Sequence, residues 1–290
     1  MQSLWMLVAA FLFATMGVCV KLALATHSVW EIVFYRNIVG ILLLLPLLMR
    51  DGGLRAGLVT PHWRTHITRN VTGTLAVVLW FSSMAVLSLP TSMTLNYTSS
   101  LFIAAIVLIG AWRRGTALPA RAMLLALLAG FVGILLVLRP TLGSGQLPWA
   151  LIGLGSGLMA AFALLTVRAL GRLGEPEART VFYFSISGLI GGGLGMAVTP
   201  THAINLHALL LLTGVGLCAV LAQLAITRAY GYGHTLLAAN LNYSGILFAS
   251  LYSLLLWNEA IVPLTALGML LIVLSGAYAT WCSARQQQKL

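Results

Sequence analysis

Leu95-Asn96-Tyr97, set inside one long apolar run, returns as Leu241-Asn242-Tyr243 inside another. Two further tripeptides return with it in the same order: Ala9-Ala10-Phe11 as Ala160-Ala161-Phe162, and Val33-Phe34-Tyr35 as Val181-Phe182-Tyr183. In chain order the three offsets are 151, 148 and 146 residues. One such match means little in so biased a composition, but three in register at a nearly constant offset point to an internal duplication. The chain is accordingly read as two copies, 1–140 and 141–290.

Around these repeats, 60% of the 290 residues are hydrophobic and 7% are charged, against about 25% charged in an ordinary soluble domain. A water-facing surface cannot be built from that. Crossing the roughly 30 Å hydrocarbon core takes about 20 apolar residues per helix. Hydropathy windows predict helices near 3–24, 29–49, 67–88, 92–112, 119–139, 147–169, 180–199, 206–228, 235–257 and 262–283. Pro61, Pro90, Pro119, Pro140, Pro148, Pro176, Pro200 and Pro263 stand in or beside the connections, where no helical amide is lost. Pro46 alone falls within a span and predicts a kink. Ala23-Leu24-Ala25 resembles a signal-peptidase site, but the preceding residues lack a basic leader and their apolar run is too long, so they read as a retained first helix. The fold class is an all-α membrane protein with ten transmembrane helices. Five spans per copy is an odd number, so the second copy enters the membrane upside down. Two inverted five-helix repeats are the plan of many secondary transporters.

The formal net charge is +11, which in a soluble chain would suggest a nucleic-acid partner. Here the cations lie in small groups between apolar runs, so no nucleic acid is expected and the lipid bilayer is the partner. With ten spans, Arg50, Arg55, Arg64, Arg69, Arg113, Arg114, Arg121, Arg168, Arg172, Arg179, Arg228, Arg285 and Lys289 fall on one side; Lys21, Arg36 and Arg139 lie toward the other. By the positive-inside rule both termini are cytoplasmic. Cys19, Cys218 and Cys282 match no metal or redox spacing and read as small apolar residues. No cofactor or metal is expected.

Two groups of polar residues within the spans are candidates for function. Lys21, Glu31 and Arg36 lie around the short first connection, where a carboxylate between two cations suits a gate; the alternative is a static interfacial network with Lys21 snorkelling to the headgroups. Asn96 with Tyr97 and Asn242 with Tyr243 occupy equivalent places in the two copies. Facing each other, they would make a substrate-binding site with amides that donate and accept and with aromatic walls; the alternative is interhelical glue. Trp80 and Gln223, in the third span of each copy, are candidates to complete it by stacking and hydrogen bonding. Glu31 and Glu259 are the only acids near membrane depth and neither is central, so proton coupling finds no support. His234, at the start of the ninth span, is a group that titrates near neutrality. The glycines of spans six and seven, among them Gly157 and Gly188, read as small faces for close helix packing.

Several stretches together resemble the drug/metabolite transporter superfamily, EamA type. They are Lys21-Leu22, Glu31-Ile32-Val33-Phe34-Tyr35-Arg36 and Leu89-Pro90-Thr91-Ser92 in the first copy. In the second they are Gly233 to Ser244, Trp257-Asn258-Glu259 and Ser275-Gly276-Ala277-Tyr278. Trp112-Arg113-Arg114 departs from the Gly-Glu common in the family, and His234 from its usual Pro. The resemblance covers the whole chain. It implies a midplane cavity lined by both repeats and opened alternately to each side, in a bacterial inner membrane. It also implies a small organic substrate, amino-acid-like or a planar heterocycle, moved outward; an uptake carrier for riboflavin or S-adenosylmethionine stays open. A membrane-embedded enzyme is the competing class, and the spans contain no nucleophile with a nearby base, no paired carboxylates and no metal-ligand pair to support one.

Overall fold

The computed structural model describes residues 2–50, 57–113, 125, 128–133, 135–136, 145–232, 238, 241–259 and 261–287. Most of the fifth expected span, and His234 with its neighbours, lie outside the described residues. The described helices are α1 (Trp5–Ala23), α2 (Val29–Arg50), α3 (Trp63–Met84), α4 (Leu89–Tyr97), α5 (Ser99–Arg113), α6 (Leu147–Arg172), α7 (Glu177–Met196), α8 (Leu206–Tyr232), α9 (Ser244–Trp257) and α10 (Pro263–Gln287). No strand occurs among the described residues. The protein is an all-α membrane protein. Among the described residues four helices are long and apolar enough to cross a membrane by length and composition alone: the first from Gln2, α2, α6 and α8. Large apolar side chains such as Leu42, Leu194, Leu210 and Leu247 face outward, which suits a surface wetted by lipid.

Local chemistry sets the helix ends. Ser28-Val29-Trp30-Glu31 is a capping box: Ser28 Oγ accepts from the Glu31 amide at 3.3 Å, and Glu31 Oε2 accepts from the Ser28 amide at 2.7 Å. Ser88 caps α4 by accepting from the Thr91 amide at 3.4 Å, with Pro90 in the first turn. Gly174, at φ 76°, ends α6 in a Schellman turn. The Glu175 amide reaches Leu170 O at 3.1 Å and the Gly174 amide reaches Gly171 O at 3.2 Å. Pro176 follows and α7 begins at once.

The structure departs from the sequence windows in two places. α3 starts at Trp63 rather than near 67, because its first turns carry Arg64, Thr65, His66 and Arg69, polar groups that a hydropathy window discounts but that find partners in the fold. The fourth span is two helices, α4 and α5, divided at Thr98; Thr98 Oγ1 turns back to Leu95 O at 2.6 Å. Its counterpart has a similar turn at Tyr243, between helical Leu241–Asn242 and α9. α2 continues as α-helix through Pro46.

Helix pairs come in sets that exchange when the two halves are exchanged. α1 packs on α8 and α3 on α6; α1 packs on α9 and α4 with α5 on α6; α2 packs on α8 and α3 on α7. The α2–α7 and α4–α9 contacts map onto themselves. Gly157 permits one of the closest approaches: a Cβ there would meet Leu95 O at 2.6 Å. Its bare surface lets α6 lie against the break between α4 and α5, beside Asn96.

Candidate functional site

A cavity of about 720 Å³, its open mouth included, lies where α1, α2, α3, α4, α6, α7 and α8 converge. Trp80, Asn96, Tyr97, Gln223 and Asn242 line it, so five of the six expected binding residues share one wall system. Tyr243 is buried at the turn before α9 and is not among the lining residues. The Trp80 indole meets Phe13 edge-on, with centroids 6.2 Å apart. The Asn96 amide nitrogen donates to Ser156 Oγ at 3.0 Å, and Ser156 Oγ donates to Gly153 O at 2.6 Å. Asn242 Oδ1, Tyr97 Oη and Trp80 Nε1 are buried without a hydrogen-bond partner among the described residues.

Two arginines enter the same cavity. Arg36 comes from α2 and Arg69 from α3, and each is 3% exposed. Both guanidinium groups stack on the ring of Phe184, with their central carbons 5.2 and 4.1 Å from its centroid. Arg36 Nη1 donates to Asn37 Oδ1 at 3.3 Å and Arg69 Nη2 to Gln223 Oε1 at 3.0 Å. Asn37 is itself fixed by donating to Val33 O at 2.6 Å. Glycines make the room: a Cβ on Gly73 would run into Arg69 Nη1, and one on Gly188 into the Asn37 amide. A charged side chain at the bilayer centre costs roughly 2.5–3.5 kcal/mol on insertion scales. Cation–π contact with Phe184 and one hydrogen bond each return only part of the cost of burying the two guanidiniums.

Lys21, Glu31 and Arg36 are not brought together. Lys21 pairs with Glu259 at 3.4 Å and lies 4.9 Å from the Trp257 ring, and Ser253 Oγ donates to the other Glu259 oxygen at 2.8 Å. Besides its capping role, Glu31 accepts from the His202 amide at 2.7 Å, with His202 Nδ1 2.9 Å from Oε2. The Lys21–Glu259 and Glu31–His202 ties each join one half of the chain to the other. Arg36 instead turns inward, because α2 packs its face against α7 and α8.

At the end that bears Arg64, Arg172 and Arg179, a second set of ties joins the halves. Glu175, 3% exposed in its side chain, accepts from Arg179 Nη1 at 3.0 Å and from Thr60 Oγ1, with His66 Nε2 3.4 Å away. Arg179 Nε donates to Gly57 O at 2.6 Å, and the Tyr183 hydroxyl donates to Leu58 O. Burial works to raise the Glu175 carboxyl, but the bonds from Thr60 and Arg179 and the nearby Arg179 charge, with His66 alongside, outweigh it and hold it below the ordinary carboxylate range. Sequence reading missed this cluster and Arg69. The Gly174-Glu175-Pro176 turn was a legible signal, and so was Gly73 one turn after Arg69.

The model of the EamA-like transporter family matches residues 1–139. The pseudopaline exporter of Pseudomonas aeruginosa is 30% identical over 267 residues, 92% of this chain and 91% of that protein. The riboflavin transporter of Vibrio cholerae is 26% identical over 300 residues, 99% of this chain and 95% of its own length. A crystal structure aligns with a TM-score of 0.71 over 98% of both chains at 16% identity, a likeness of fold.

Proposed function

The chain belongs to the EamA-like transporter family, and from that premise we propose that it exports a small organic metabolite across the bacterial inner membrane by alternating access. It is a transporter and not an enzyme. Residues 1–140 and 141–290 act as two inverted repeats that rock about the central cavity. The helix pairing that exchanges with the halves supports this division. Trp80, Asn96, Tyr97, Gln223 and Asn242 contact the solute, and Tyr243 holds the turn that presents Asn242. The end rich in arginine, with both termini, faces the cytoplasm. Lys21 with Glu259 and Glu31 with His202 form the outer gate, and Glu175 with Thr60, His66 and Arg179 the inner one.

The observation that carries this reading is one cavity walled by both halves, with cross-half ties toward each end. Outward direction rests on the pseudopaline exporter; the riboflavin transporter keeps uptake as a second reading. The test is metabolite profiling of the medium around cells expressing the wild type or Asn242→Ala, with membrane levels matched. Export predicts a compound enriched outside wild-type cells and lost with the variant. Equal media, with riboflavin uptake restored to an auxotroph, would reverse the direction. Failure of both readouts overturns the transport reading of this cavity.

A further inference from the structure

We propose that the transported solute is an organic oxyanion, a carboxylate or phosphate, and that Arg36 and Arg69 receive its charge; this rests on the transport reading above. Both arginines are buried in the cavity wall. Among the described residues no carboxylate pairs with either. Glu31 is held by Ser28 and His202, Glu175 by Thr60 and Arg179, Glu177 lies 4.0 Å from Arg228, and Glu259 is held by Lys21 and Ser253. All four described acids are thus occupied elsewhere, and two cations are left facing the cavity.

The hydrogen-bonding inventory of that space has the same sign. Among the described residues Arg36 Nε, Arg69 Nε and Arg69 Nη1 have no hydrogen-bond partner, and neither has Trp80 Nε1, which can only donate. Tyr97 Oη can do either, and Asn242 Oδ1 is an acceptor without a donor. Donors outnumber acceptors, and a planar guanidinium matches the oxygens of a carboxylate or phosphate in pairs. The arrangement is built, since Gly73 and Gly188 are bare where a methyl group would displace Arg69 or the Asn37 that holds Arg36. Both guanidiniums lie against the Phe184 ring and line the one cavity, so a solute bound there is offered both charges. An amino-acid-like solute places its carboxylate there and its ammonium against Asn242 Oδ1. An uncharged heterocycle leaves the cations bare.

The experiment uses the full chain in phosphatidylcholine nanodiscs, which carry no net anionic headgroup. Its apparent Tm is followed against glutamate, succinate, glutarate and glycerol phosphate, each beside an uncharged counterpart such as succinamide or glycerol. The expected result is stabilisation by at least one oxyanion and not by its counterpart, with the carboxylate and phosphate arms naming the group recognised. Arg36→Gln and Arg69→Gln weaken that binding about tenfold or more, and Arg36→Lys and Arg69→Lys keep part of it. If the Gln variants do not fold, the Lys variants and the charged-neutral pairs on the wild type carry the test. No oxyanion effect, equal effects of charged and neutral members, or wild-type binding by folded Gln variants overturns the inference. An exported compound that proves neutral or cationic also overturns it while leaving transport intact.

Discussion

At the arginine-rich end, a single carboxylate gathers the tie between the halves. Glu175 is 3% exposed and is bonded by Thr60 and Arg179, with His66 beside it. At the other end the work is divided. Glu31, 1% exposed, serves its own helix cap and His202, whose side chain is 50% exposed; Glu259, 41% exposed, meets Lys21. Both ends join one half of the chain to the other through a few side chains. Water separates the Lys21–Glu259 pair from the Glu175 cluster, because a bond screened by solvent contributes a fraction of what the same bond contributes when buried; Glu31 is buried as deeply as Glu175. The Glu175 cluster is therefore a firmer tie than the Lys21–Glu259 pair.

The largest effect is expected from Glu175→Ala. Removing one member of a buried ion pair strands the other, so a loss on the order of 3 kcal/mol is expected, read as a lower Tm of the purified protein than any single change at the opposite end produces. Equal losses at the two ends would erase the contrast. Proton titration sharpens it. Glu175 sits below its ordinary value of 4.5 in the folded protein, so its contribution is fully present above that value and is lost as pH falls through the lower folded value. Melting curves from pH 7 down to pH 3 should show a decline at the acid end that Glu175→Gln removes, the variant being already less stable at pH 7. A decline equally steep in the variant would assign the acid sensitivity to other groups.

Glu31→Gln comes next. It keeps the shape of the capping box and weakens the bonds to the Ser28 and His202 amides, so about 1 kcal/mol is expected. Arg36 should not enter this result. A double-mutant cycle between Glu31 and Arg36, read by Tm, should give a coupling near zero, and a coupling above about 1 kcal/mol would restore the direct pair that their spacing suggests.

That spacing shows what a sequence makes legible in such a protein. Asn96 and Asn242 are legible because Leu-Asn-Tyr recurs in the sequence, and both line the cavity together with Trp80 and Gln223. The helices were found because hydrocarbon imposes one rule on every span, and that rule failed where α3 begins with polar turns. Arg69 was read as an orientation charge: six residues into a helix, a cation counts toward the charge of its end even when the side chain bends inward. Lys21 lies ten residues from Glu31 yet pairs with Glu259 far along the chain, because α1 packs against α9. Glu175 and Thr60 meet across the two halves for the same reason. Local pattern shows where a charge enters the membrane, and its partner is decided by which helices pack together.

The smallest effect belongs to Lys21 and Glu259. Their atoms are 3.4 Å apart, with the side chains 18% and 41% exposed. Solvent screening and the entropy of holding a long lysine limit such a pair to roughly 0.2–1 kcal/mol. Part of the geometry is held independently, since Ser253 keeps Glu259 in place and the Trp257 ring lies beside the ammonium. A cycle of Lys21→Met, Glu259→Gln and the double variant should therefore give a coupling of about 0.5 kcal/mol or less in Tm, shrinking further in high salt. The same cycle read by transport rate need not be small. In the proposed outer gate a weak pair can break on each turnover, and Lys21→Met should speed opening there while leaving the fold almost as stable. A coupling of about 2 kcal/mol or more would mean that this exposed pair is as firm as the buried Glu175 cluster and would erase the contrast between them.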